Sequence, residues 1–71
     1  MKVRANGIYI FQRSAMDCAM RQHCADVDNG QRVRVVNLPG APKCNTMGMA
    51  NIQTLKGDVI GMCSTASLFR A

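Results

Sequence analysis

The stretch Asp28-Asn29-Gly30-Gln31-Arg32-Val33-Arg34-Val35-Val36-Asn37-Leu38-Pro39-Gly40-Ala41-Pro42 decides how this chain is read. Arg32, Val33, Arg34 and Val35 alternate charged and branched apolar side chains with period two. That is the period of a strand with one wet face and one buried face. Asn29-Gly30 tolerates positive φ and opens the strand after a turn. Pro39 and Pro42 close it, because proline has no N–H to give a ladder. The pattern predicts a strand over 31–38, with Val33 and Val35 inward and Arg32 and Arg34 outward.

Three further segments carry strand signals. Residues 3–11 are rich in Ile, Tyr and Phe, with Ile8 and Ile10 on one face and Tyr9 and Phe11 on the other. Strands are expected at about 49–55 and 59–64, joined by a tight glycine-centred hairpin at Lys56-Gly57-Asp58. After them, Ala66-Ser67-Leu68-Phe69 reads as a single helical turn that drops Leu68 into a core. Between the first two strands, Ser14-Ala15-Met16-Asp17 matches a capping box, with Ser14 as N-cap and Asp17 at the positive end of the helix dipole. This predicts a short helix ending between Gln22 and Val27, with Met16, Met20 and Cys24 along one face.

The 71 residues are enough for one domain, 1–71. A domain this small often needs a staple, such as a metal, a disulfide or a partner subunit. The longest apolar run, Gly7 to Phe11, is far short of the ~20 residues that span a bilayer. It is also too short for the apolar core of a signal peptide. The expectation is a cytoplasmic protein without membrane association, its cysteines reduced. Nine Lys and Arg stand against four Asp, with no Glu, giving a net charge of +5. That balance favours an acidic partner: nucleic acid, an acidic protein surface or anionic lipid.

Catalysis is not expected. His23 is the one histidine, and of Asp17, Asp26, Asp28 and Asp58 two sit in expected turns and one near a helix start, each an ordinary structural place. No glycine loop for phosphate is present. His23 and Cys24 are adjacent, so their side chains diverge and make a poor base–nucleophile pair. The cysteines have two readings. Five residues separate Cys18 from Cys24, nineteen separate Cys24 from Cys44, and eighteen separate Cys44 from Cys63. They are either four buried thiols, or the ligands of a structural zinc, with His23 able to replace one. One continuous helix over 15–25 would set Cys18 and Cys24 about 120° apart and weigh against the zinc.

The order of strand, long connection with a short helix, three strands and a final turn resembles an SH3-like small β-barrel. The pieces are Ile8–Phe11, a first long loop over 12–29, strand 31–38, a second loop over 39–48, strand 49–55, the hairpin 56–58, strand 59–64, and a one-turn helix with a short last strand within 65–69. The chain departs from signalling SH3 domains in lacking their aromatic ligand groove. It also resembles short proteins of prophages and other mobile elements. The barrel implies about five strands. It also implies that Cys18 and Cys24 in the first loop, Cys44 in the second and Cys63 near the end of the fourth strand converge at one end.

Resemblance to small barrels also implies nucleic-acid binding. Arg32 and Arg34 share a strand face from which they would straddle phosphates, and Lys2, Arg4 and Arg70 from the termini would extend the patch. Tyr9 and Phe11 are the paired candidates for base stacking, and core packing competes for them. The rival expectation is a protein-interaction module, an inhibitor of a host protein or an assembly subunit. Met47, Met49 and Met62, with Met16 and Met20, would supply a pliable apolar interface. Exposed strand edges also invite a homo-oligomer.

Overall fold

The structure is a computed structural model that describes residues 2–19 and 27–71. Five antiparallel strands form one sheet: β1 (Ile8–Phe11), β2 (Arg32–Val36), β3 (Met49–Thr54), β4 (Val59–Ser64) and β5 (Leu68–Arg70). Their order across the sheet is β4-β3-β2-β1-β5. The expected strands are present in type and place; the fourth has its expected bounds, and the first three are shorter than the sequence pattern. The first begins at Ile8, and the second ends at Val36, before Pro39.

Alternation sorts the side chains as expected. Tyr9, Phe11, Val33, Val35, Ala50, Ile52, Cys63 and Leu68 point inward and, with Val3 and Val27, form the core. Leu68 drops into that core, but from the first residue of β5. The helical turn lies one step earlier, as a 3-10 turn over Thr65–Ser67. The β3–β4 hairpin turns where predicted, with Gly57 at φ 102, its N–H donating to Thr54 O at 3.0 Å and Thr54 N–H donating to Asp58 O at 2.8 Å.

β4 and β5 are edge strands, yet only the Thr65–Ser67 turn separates them along the chain. A flat sheet would hold its two edges about 19 Å apart, at ~4.8 Å per strand. A three-residue 3-10 turn advances only about 6 Å. The sheet therefore bends strongly on itself at this end. A bulge between Ile52 and Gln53 helps the bend: Ile52 pairs with Gly61 and Gln53 with Val59, so Ile60 is the extra residue. Gly61 takes φ 142 there, a value that other residues rarely adopt.

A short helix α1, Ala15–Ala19, follows β1. The Asp17 N–H donates to Ser14 Oγ at 3.3 Å, and the Cys18 N–H to Ser14 O at 3.0 Å. The expected continuation over residues 20–26, including Met20 and Cys24, lies outside the described residues, and Val27 beyond it is not helical. On either side of that segment the chain is tied down. Arg13 donates from its backbone to Asn29 Oδ1 at 2.7 Å and from its guanidinium to Val27 O at 3.0 Å.

Asp17 does more than face a helix dipole. It is 1% exposed, and its two carboxylate oxygens accept from the Ser64 N–H at 2.9 and 3.2 Å. The Ser67 hydroxyl also donates to it, and Ser67 Oγ in turn accepts from the Ser14 N–H at 2.9 Å. This buried polar corner fastens α1 to the end of β4 and to the turn before β5. Among the described residues, no helix is long and apolar enough to cross a membrane.

Candidate nucleic-acid interface

The outer face of the sheet follows from register. Ile8 pairs with Arg34 and Ile10 with Arg32 across β1–β2, and Arg34 pairs with Gln53 across β2–β3. Arg32 is exposed. Arg34 is half-buried because its guanidinium donates to Asn6 O at 2.8 Å. That bond holds the Arg34 head group over the turn that leads into β1.

The second group of cations gathers at the termini. Lys2, Arg4, Gly7, Ile8, Tyr9, Arg70 and Ala71 line an open groove of about 450 Å³. Arg70 arrives by pairing with Tyr9 in the β1–β5 ladder. Lys2 and Arg4 arrive because the segment between them is clamped. The Asn45 carboxamide serves both backbone groups of Val3: Oδ1 accepts from the Val3 N–H at 2.8 Å, and Nδ2 donates to Val3 O at 2.8 Å. Asn45 reaches this position from a left-handed backbone, φ 71, a conformation that Asn adopts more readily than most residues.

The Tyr9 hydroxyl adds the second clamp by accepting the Arg4 N–H at 2.8 Å. Gly7 fits beneath it. A Cβ at Gly7 would meet Tyr9 Cε2 at 2.9 Å and Arg4 O at 3.1 Å, so the turn and the ring pack only around a glycine. Tyr9 and Phe11 are thus both buried. The exposed aromatic is Phe69, on β5, opposite Ile10. Strand alternation starting from Leu68 is the signal that would have found it. The sequence pattern placed Phe69 in a helical turn instead.

Of the cations expected to act together, Lys2, Arg4 and Arg70 are brought into one groove. Arg32 and Arg34 stand on the outer sheet face and do not line it, although Ile8, which does, pairs with Arg34. Of the described aspartates, Asp17 is buried, and Asp28 and Asp58 are exposed in the turns that precede β2 and β4.

The proposed zinc ligands are distributed differently. Cys63 is 0% exposed, in the core. Cys44 is half-buried and packs against that core cluster, with its thiol 3.9 Å from Val3 O and the Asn45 Nδ2 3.7 Å from its sulfur. Cys18 is exposed on α1. Cys24 and His23 lie outside the described residues. Among the described residues, no group of three or more His, Cys, Asp or Glu side chains is placed to hold a metal ion. Compared with protein families, curated proteins and solved structures, the chain matches none.

Proposed function

We propose that this chain is a small SH3-like barrel that binds nucleic acid along its sugar-phosphate backbone and has no catalytic role. One observation carries the reading. Residues as far apart in sequence as Lys2, Arg4 and Arg70 meet in one groove, and that groove adjoins Arg34 through Ile8. A run of cations on a connected surface is what displaces condensed counterions from phosphates, the main source of sequence-independent affinity. The barrel part of the reading is supported by the strand order and by the short turn from β4 to β5.

Fluorescence anisotropy with labelled oligonucleotides across a salt series tests it. Affinity should fall steeply as salt rises. Arg32→Ala with Arg34→Ala should weaken all sequences alike and make the salt slope shallower by about one to two units. No binding to DNA or RNA, single- or double-stranded, at low salt overturns the proposal.

A protein partner is the second reading. Ile8, Val59, Met62 and Phe69 are exposed apolar residues on the outer positions of the sheet, and an acidic protein with apolar side chains would fit among the arginines. In that case the arginine pair sets the association rate more than the affinity. A structural zinc is a separable part of the proposal. Its support is that Cys44 packs against the cluster containing Cys63, and that α1, which carries Cys18, packs on β4. Metal analysis of reduced protein should then find about one zinc per chain, and chelation should lower the melting temperature. Metal-free protein with an unchanged melt removes the zinc and leaves buried thiols.

A further inference from the structure

Leu68 points into the core beside its β1 partner Phe11, so alternation carries the next residue, Phe69, to the outer face. There Phe69 is 51% exposed. Its β1 partner is Ile10, and the β2 partner of Ile10 is Arg32. The three side chains form one row across three strands, roughly 10 Å from first to last at ~4.8 Å per strand. The neighbouring row is Ile8, Arg34 and Gln53. An aromatic ring flanked by isoleucine thus stands two strands from a pair of guanidiniums, with no acidic side chain in either row.

We infer that this face takes single-stranded nucleic acid, with one base stacked on Phe69 and the adjoining phosphates on Arg32 and Arg34. The inference rests on the nucleic-acid reading above and narrows it. Bases in a duplex are stacked on each other and offer only their edges. The major groove, about 12 Å wide, admits a helix or a two-stranded ribbon. The face of a five-stranded sheet is too broad to enter it. A single strand instead exposes its base planes and lies across such a face, where stacking on an aromatic ring is tolerant of base identity. Ile10 supports the edge of the base, and the arginines set the direction of the backbone across β1 and β2.

Anisotropy titrations at low salt with oligothymidylate and oligouridylate of about 15 nucleotides, and with a DNA duplex of equal length, test this. The single strands should bind more tightly than the duplex. Phe69→Ala should weaken single-strand binding by about 5- to 150-fold. Phe69→Leu, which keeps apolar bulk and loses the ring, should weaken it nearly as much. The natural chain has no tryptophan. Phe69→Trp should therefore retain affinity and report stacking directly, through quenching of its fluorescence by the single strand. Thermal melts of each variant confirm that it is folded. Equal or tighter binding to the duplex, with Phe69→Leu unchanged, overturns the stacking inference and leaves phosphate binding in place. No binding to any of the three probes overturns both and returns the outer face to a protein partner.

Discussion

The Asp17 corner and the Lys2–Arg4–Arg70 groove treat charge in opposite ways. At the corner a carboxylate is taken out of water and surrounded by the Ser64 N–H and the Ser67 hydroxyl, so that it joins α1 to the end of β4. At the groove the charges stay in water, and it is the backbone between them that is held, by Asn45 on Val3 and by Tyr9 on Arg4. The contrast separates a charge used for folding from charges kept available for a ligand. A buried ionised group must satisfy its hydrogen bonds within the protein, whereas an exposed one needs only a fixed base.

Breaking the corner should have the largest effect on stability. Asp17→Ala leaves the buried Ser64 N–H and Ser67 hydroxyl without this acceptor, a loss of about 3 kcal/mol. A chain of this length has roughly 4–10 kcal/mol of total stability. The thermal midpoint by circular dichroism should fall by about 15 °C or the transition should disappear. Asp17→Asn, which keeps one acceptor oxygen, should lose less. A melt of Asp17→Ala that overlays the parent would show that the corner is not structural.

Loosening the clamp comes next. Asn45→Ala removes both bonds to Val3 and leaves at φ 71 a residue that adopts the left-handed region less readily than Asn, at a cost of about 2 kcal/mol. Asn45→Gly isolates the hydrogen-bond part, because glycine takes that φ without strain. Urea denaturation should rank the parent above Asn45→Gly, and that variant above Asn45→Ala. Tyr9→Phe removes only the acceptor for the Arg4 N–H and should cost about 1 kcal/mol. Both sites should also lower nucleic-acid affinity, because Lys2 and Arg4 lose their fixed base. Equal affinities would show that the groove cations act without positioning.

The smallest effect on stability should come from the cations themselves. Arg32→Ala with Arg34→Ala should change unfolding free energy by no more than about 0.5 kcal/mol, even though Arg34 gives up its bond to Asn6 O. The same pair should produce the change in salt slope described above. If unfolding of the double variant is instead shifted as far as that of Asp17→Ala, the two regions do not divide the work as the structure implies.

Strand positions were legible because period-two alternation is a local signal. Val33 and Val35 had to face inward if Arg32 and Arg34 faced water, and the Lys56-Gly57-Asp58 hairpin needed only its own turn chemistry. The cation set was legible as a list. Its assembly was not, because nothing local in Lys2, Arg4 or Arg70 records that β1 lies between β2 and β5.

Two tertiary partners escape a local reading. Asp17 lies in the first turn of its helix, as the capping pattern predicts, but its carboxylate also accepts from residues 47 and 50 positions away. Phe69 was read with the helical turn before it, but its partner is Ile10, nearly sixty residues back in the chain.

The amino-acid sequence by itself determined the strands, the turns that end them, the positive charge and which side chains of β2 face water. These follow from short-range sterics, turn chemistry and alternation. The tertiary structure decided which strands are neighbours, and through that the meeting of Lys2, Arg4 and Arg70 in one groove, the clamp on Val3 and the exposure of Phe69 at the candidate site, and the burial of Asp17 away from it. Pairing of distant strands is a contest among many possible partners, settled by burial of the whole core at once, and no short stretch of the chain contains its outcome.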